Sequence, residues 1–468
     1  MALSVSGFQV AEVSGGMEKS DRTSESEFKS DPEVPGRPAR RRTVPLVVAT
    51  VIVLTGLLFV FFSDPVLFHS QTWVDQSDLW GIFRGAHYVS WGYPGGVYNQ
   101  ETGIVTLPGI AVLLAPVAMI SDALHLSVSM TGFVTPHPTA DLLLVPIELI
   151  LATTAVFAAD ALAWELGVPG RLRLWMCVAV GVVLWPTVAI WGHPEDSLTM
   201  TFALYAMISV LRMNWVRAGW LFGVAIVFQP LIALVIPIFL AASPRGGRVL
   251  FAVRTVLASA LLVAIAAIGN PSGAFRALVV QPALPTLNHT TPWLAFASPL
   301  DTSHQLPLTG IGLQRVPTTG AFRSVVVSAH PLLEVAGSPG RTIYMIMALI
   351  VGLVVWRRRP STVRMLWLAG LVLSARCFFE AVMTPYYLAP PLILLLVVAA
   401  TCRPGRFAAV VVLSFGVSGF AYLHLGPYEW WLPIVASLAM ILGITIPPQV
   451  DMLGPTISAR PQFERAPD

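Results

Sequence analysis

The chain has 468 residues, of which 55% are hydrophobic and only 11% charged, with a net charge of +3 and a mean hydropathy of +0.73. A soluble domain carries about 25% charged residues, so this composition excludes a water-facing surface and predicts an all-α polytopic membrane protein. The small net charge gives no footprint for nucleic acid, and Cys177, Cys377 and Cys402, all in or beside apolar runs, show neither metal spacing nor a disulfide framework.

Residues 1–43 are polar, rich in Ser, Glu, Pro and Arg, and read as a disordered cytoplasmic tail. The run 44–62 is long enough to cross a bilayer, which takes about 20 apolar residues. Arg37, Arg40, Arg41 and Arg42 precede it, so the expectation is an uncleaved first span in the plasma membrane with its N-terminus inside. Further apolar runs follow at 105–120, 140–162, 174–191, 197–211, 217–242, 249–268, 342–356, 362–382, 385–401, 406–423 and 430–447, with a C-terminal cytoplasmic tail at 448–468. Arginine clusters mark the cytoplasmic ends: Arg171 and Arg173, Arg212 and Arg217, Arg245 and Arg248, Arg357 to Arg359, Arg403 and Arg406. That scheme requires the run 217–242 to enter and return, bent near Gln229-Pro230. It leaves the number of crossings between 105 and 173 open. Two long outer loops are expected, 63–104 and 269–340. The first is rich in aromatic residues (Trp73, Trp80, Tyr88, Trp91, Tyr93, Tyr98), which suits segments lying in the membrane interface.

Ionisable residues in or at the ends of spans are costly and usually functional. Under this topology most gather at the outer face. Asp75 and Asp78, in Trp73-Val-Asp-Gln-Ser-Asp-Leu-Trp80, are candidate carboxylate bases, with helix capping by Ser77 or Asp78 as the plainer alternative. His193, Glu195 and Asp196 share the short link Trp191-Gly-His-Pro-Glu-Asp-Ser197. They suit substrate binding, or the two acids simply face the positive end of the next helix. Arg376 and Glu380 stand four apart, a spacing that serves either a self-neutralised pair or a phosphate-binding arginine oriented by the glutamate; Tyr386 and Tyr387 follow. The second loop adds Arg276, His289, Arg315, Arg323 and His330 against Asp301 and Glu334. No phosphate loop, Gly-x-Ser-x-Gly turn or His-Glu-x-x-His motif occurs, which argues against a nucleotide-driven engine.

An acidic outer loop after span one, followed by spans with few charges, resembles the GT-C superfamily of polyprenyl-phosphate-sugar-dependent glycosyltransferases. More narrowly it resembles the actinobacterial mannosyltransferase-type family. The matching segments are Asp78-Leu-Trp, Gly95-Gly-Val-Tyr98, Leu107-Pro-Gly-Ile-Ala-Val-Leu-Leu-Ala-Pro116, Gly219-Trp-Leu-Phe-Gly223 and Phe228-Gln-Pro230, so the motifs cover about 70–240 and the rest matches by hydropathy. Gln229 stands where that family often has lysine, and Gly192-His-Pro-Glu-Asp196 near where it often has Gly-Gln-x-Asn. The resemblance implies a GT-C-like bundle of about 11–13 transmembrane helices. It implies transfer of a sugar (mannose, or another hexose or pentose) from a polyprenyl-phosphate donor to an envelope lipid or glycan acceptor at the extracytoplasmic face. The anomeric centre would invert, with Asp78 as general base and Asp75 as the fallback. Arg376, His193 and His289 are the candidate cations for the leaving phosphate, and Gln229 completes the expected substrate-binding set. No motif requires a cofactor, and a divalent metal stays open. Two other readings stand beside it: a transporter or flippase of a lipid-linked or small anionic substrate, and a non-catalytic envelope assembly protein.

Overall fold

A computed structural model describes residues 42–447, apart from several stretches of which the longest are 67–72, 129–136, 279–291, 300–312 and 327–332. Residues 1–41 of the expected N-terminal tail and the expected C-terminal tail lie outside the described residues, as do Asp75, Arg276, His289, Asp301 and His330.

The first helix, α1 (Thr43–Ser63), turns a broad apolar face outward through Val47, Val51, Leu54, Leu58 and Phe62. A helix whose exposed side carries such residues is stable only in lipid. The segment after it packs partly against protein. Helix α2 (Ser77–Ser90) buries Leu79, Trp80, Ile82, Phe83 and Ala86 against α3 (Gly109–Ala123), and Tyr98, in a short 3-10 turn, is also buried. Of the aromatics named there, Trp91 and Tyr93 are the ones left strongly exposed.

Helices α4 (Asp141–Glu165), α5 (Gly170–Ala189) and α6 (Pro194–Leu211) follow. Between 105 and 173 the described residues thus hold two helices, α3 and α4. At 15 residues α3 spans about 22 Å, short of a bilayer core of about 30 Å. Helix α7 (Trp215–Phe228) then stops where the sequence predicts a bend. Gln229 is extended (φ −145°, ψ 113°) because the residue before a proline is pushed out of the helical region. A 3-10 turn (Pro230–Val235) and the short α8 (Ile236–Ala242) carry the chain back. Helix α9 (Arg245–Gly269) lies close on α7 because Gly219 and Gly223 present no side chain: a Cβ at Gly223 would stand 2.5 Å from Ala258 Cβ.

Among its described residues the second loop holds α10 (Pro271–Phe275) and four strands, β1 (Ser298–Pro299), β2 (Leu313–Thr318), β3 (Ala321–Val326) and β4 (Leu333–Glu334). They pair antiparallel as β1 with β4 and β2 with β3. Then come α11 (Pro339–Arg358), α12 (Thr362–Phe379), α13 (Ala389–Ala399), α14 (Pro404–Phe420) and α15 (Pro427–Thr445). Every residue of α13 is buried, and it packs on α5, α12 and α14, so it forms the centre of the bundle. Among the described residues, seven helices are long and apolar enough to cross a membrane, and five shorter apolar helices accompany them. The chain is a polytopic α-helical membrane protein.

The helix ends are sorted by charge. Arg212, at the end of α6, pairs with Glu165 at the end of α4, and Arg173 near the start of α5 pairs with the buried Asp160 at 2.7 Å. Helix α7 begins at that same end. The opposite end gathers the starts of α4 and α6, the ends of α5 and α7, and the start of α2.

Candidate active site

The site grows from a suture between α2 and α5. The last carbonyls of a helix lack intrahelical partners. Gln76, at the cap position of α2, donates its side-chain amide to two of them at the end of α5, Val188 O (2.8 Å) and Ala189 O (3.1 Å). Gln76 is buried, so this suture fixes the first turn of α2 against the α5–α6 link. The link turns on Gly192 at φ 69°, a region that favours glycine. Its bare Cα also lets α2 approach, since a Cβ there would meet Leu79 Cβ at 2.6 Å. Pro194 then starts α6 at a position where the missing N–H costs nothing. Glu195 and Asp196 fall in its first turn, where the helix dipole favours them.

This local folding places His193 between two carboxylates. Its Nε2 lies 2.8 Å from Asp78 Oδ2 and its Nδ1 2.5 Å from Glu195 Oε1. Burial works against a charged ring here, but the Glu195 carboxylate and the hydrogen bond to Asp78 outweigh it and raise the His193 pKa well above its ordinary value. The imidazolium donates to both acids. Its face stacks on Tyr386, with ring centroids 3.8 Å apart. Asp78 keeps 41% of its side chain exposed. The capping alternative for Asp78 is not what the structure holds: Gln76 occupies the cap position, and the Asp78 carboxylate is turned to His193. For Glu195 both readings coexist, because it sits at the helix start and also binds the imidazole.

The other candidates continue the same array. Tyr386 and Tyr387 pack edge to face at 4.9 Å, and the Arg376 guanidinium lies over the Tyr387 ring with Cζ 3.2 Å from its centroid. Arg376 Nε is 3.6 Å from Glu380 Oε2, outside hydrogen-bond range, and this buried Nε has no hydrogen-bond partner among the described residues. The two still stand at ion-pair distance, and Glu380 is also held by Tyr344, whose hydroxyl donates to Oε2 at 3.0 Å, with Arg341 3.9 Å from Oε1. Asp196 accepts from the Gln229 amide at 3.3 Å, at the break after α7, and shares an electrostatic environment with Arg376. A small cavity of ≈ 10 Å³, room for about one water, is bordered by Thr199, Gln229, Arg376 and Tyr387.

Asp78, His193, Glu195, Asp196, Gln229, Arg376, Glu380, Tyr386 and Tyr387 therefore form one continuous polar seam at one end of the bundle. Sequence reasoning passed over Gln76, Arg341, Tyr344 and Glu148. Glu148 is fully buried in α4 and lies in the electrostatic reach of Glu195 and His193. An acid in the middle of the apolar run 140–162 was the available signal for it.

Both His193 nitrogens are spent on Asp78 and Glu195, so these side chains point at one another. Among the described residues no three His, Cys, Asp or Glu side chains converge on a point suited to a metal ion. Chemically, the seam offers an accessible carboxylate steadied by a buried imidazolium, and a buried guanidinium beyond two tyrosines. Comparison with protein-family models and with curated proteins finds no match to this chain.

Proposed function

We propose that the chain is an inverting membrane glycosyltransferase of the GT-C type. It moves a sugar, mannose or another hexose or pentose, from a polyprenyl-phosphate donor to a lipid or glycan acceptor of the cell envelope. The observation that carries this reading is the Asp78–His193–Glu195 array: a partly exposed aspartate with one oxygen held by a buried imidazolium, in a seam that ends on Arg376. In the proposed step, Asp78 takes the proton of the acceptor hydroxyl. The acceptor oxygen forms a bond to the anomeric carbon, and the bond from that carbon to the phosphate oxygen breaks. The phosphate leaves with the electron pair, and its charge falls to the guanidinium of Arg376. One base and one displacement invert the centre. The arginine-rich turns at the opposite end of the bundle support a cytoplasmic position for that end. The seam then opens at the extracytoplasmic face of the plasma membrane.

The test is transfer by purified protein with synthetic polyprenyl-phosphate sugars. Wild type should transfer, and Asp78→Ala should not while keeping its melting temperature. Full transfer by Asp78→Ala would sink the site assignment.

A second reading, transport of a lipid-linked or small anionic substrate, draws on the helix break at Gln229, a feature that transporters share. Cysteine substitution at Asp196 separates the two. Reaction with impermeant reagent from both membrane faces would favour transport, and reaction from one face favours the transferase.

A further inference from the structure

Far from the seam, one arginine has no protein explanation. Arg254 stands nine residues after the start of α9, about 13 Å along the helix. Its Nε and Nη1 are buried and make no hydrogen bond among the described residues. It is not shielded by a protein interior on every side, since Val253, Val256 and Leu257 around it are more than half exposed on the lipid-facing side of α9. Helical side chains lean toward the preceding turn. The guanidinium therefore leans toward Phe251, whose ring meets Trp215 with centroids 6.0 Å apart. The Trp215 Nε1 is likewise buried without a hydrogen-bond partner among the described residues. Gly219 brings the two helices together here, since a Cβ on it would stand 3.1 Å from Arg254 Cβ. The α7–α9 seam thus carries unmatched N–H donors of both a cation and an indole, beside a face open to lipid.

An unpaired arginine in a lipid-facing helix is costly and calls for an anion. The guanidinium of Arg254 and the indole N–H of Trp215, on facing helices of one seam, offer donors that suit the oxygens of a phosphate. The ligand must enter laterally, because the open side faces hydrocarbon. We infer that Arg254 and Trp215 form a binding site for the phosphate of an anionic phospholipid, at the end of the bundle where α7 and α9 begin. This site lies at the other end of α7 from Gln229, so it stands or falls independently of the glycosyltransferase reading.

The test uses the full chain in nanodiscs of phosphatidylcholine, with and without phosphatidylglycerol, read by thermal unfolding over a lipid titration. Phosphatidylglycerol should raise the wild-type melting temperature. Arg254→Gln should weaken its apparent affinity about fivefold, the loss of a charge-assisted contact to the phosphate. Arg217→Gln, an exposed arginine at the start of α7, should change it little. An equal phosphatidylglycerol effect in wild type and Arg254→Gln would overturn the inference, as would no effect in wild type. An equal Arg254-dependent rise from inorganic phosphate in phosphatidylcholine discs would overturn the lipid as its source. If Arg254→Gln does not fold, phosphatidylglycerol co-purifying with Arg254→Lys decides. Lysine keeps the charge but lacks the planar fork, so retention should fall below wild type, and equal retention would overturn the inference.

Discussion

Gly192→Ala tests the geometry of the seam at its tightest point. The residue sits at φ 69°, where a side chain costs about 1–2 kcal/mol. The added methyl would also stand 2.6 Å from Leu79 Cβ and 3.1 Å from Gln76 Cβ. Both are the first side-chain atoms of their residues, one in α2 and one at its cap, so no rotamer change relieves the clash and α2 itself must shift. Overpacking of this kind costs about 1–3 kcal/mol. The sum, about 2–5 kcal/mol, is a large fraction of the stability of most domains. The strain falls on the Gln76 suture and on the Asp78–His193 hydrogen bond. Thermal unfolding in detergent should show a clear drop for Gly192→Ala. Leu79→Ala keeps its Cβ and should not rescue the double variant, whereas Leu79→Gly should relieve it in part. An unchanged melting temperature for Gly192→Ala would refute the close approach of α2. Equal rescue by Leu79→Ala would refute the atom assigned to the clash.

Other substitutions probe separate parts of the account. The Tyr98 hydroxyl is buried without a hydrogen-bond partner among the described residues, and burial pushes its pKa up; Tyr98→Phe should therefore be more stable by about 1 kcal/mol in thermal unfolding, and a loss would reveal a partner. His193 has a folded-state pKa above its ordinary 6.5, so its contribution to stability is complete below about pH 6.5 and fades as pH rises through the raised value. Melting temperature measured against pH should show that alkaline decline in wild type and not in His193→Gln. Under the proposed mechanism Arg376→Gln should lower kcat by about 10²-fold. Arg376→Lys should recover only part of the rate, because an ammonium cannot lie flat on Tyr387.

What the sequence disclosed follows from which forces act locally. Apolar run length located α1, α4, α5, α9 and the later spans, because a bilayer imposes length and hydropathy on every crossing. The break at Gln229 was legible because proline acts on its immediate neighbour. Lone polar residues in apolar surroundings marked His193, Glu195 and Arg376, since burying them is costly wherever the helices go. Their partnering was not legible. Nothing in the spacing of Asp78 and His193, 115 residues apart, says that Gln76 would tie α2 to the end of α5. The Arg376–Glu380 spacing suggested a direct pair, and the two stand at ion-pair distance, 3.6 Å; what the spacing could not show is that Tyr344 on a neighbouring helix also donates to Glu380. The packing of the aromatic loop after α1 was hidden for a related reason. Trp80 and Tyr98 have the composition of interface residues, and α3 and the α9–α10 segment offer them protein to pack against.

The central claim is that Asp78 is the base of a sugar transfer. Asp78→Asn tests it most directly, because the amide keeps the size of the carboxylate and an oxygen able to accept from His193 Nε2 while losing the ability to take a proton. Transfer from a polyprenyl-phosphate sugar would be measured on purified protein, beside its melting temperature. The account predicts a folded protein with transfer reduced by at least about 10²-fold, the usual worth of a positioned base. Transfer at the wild-type rate by folded Asp78→Asn would contradict it.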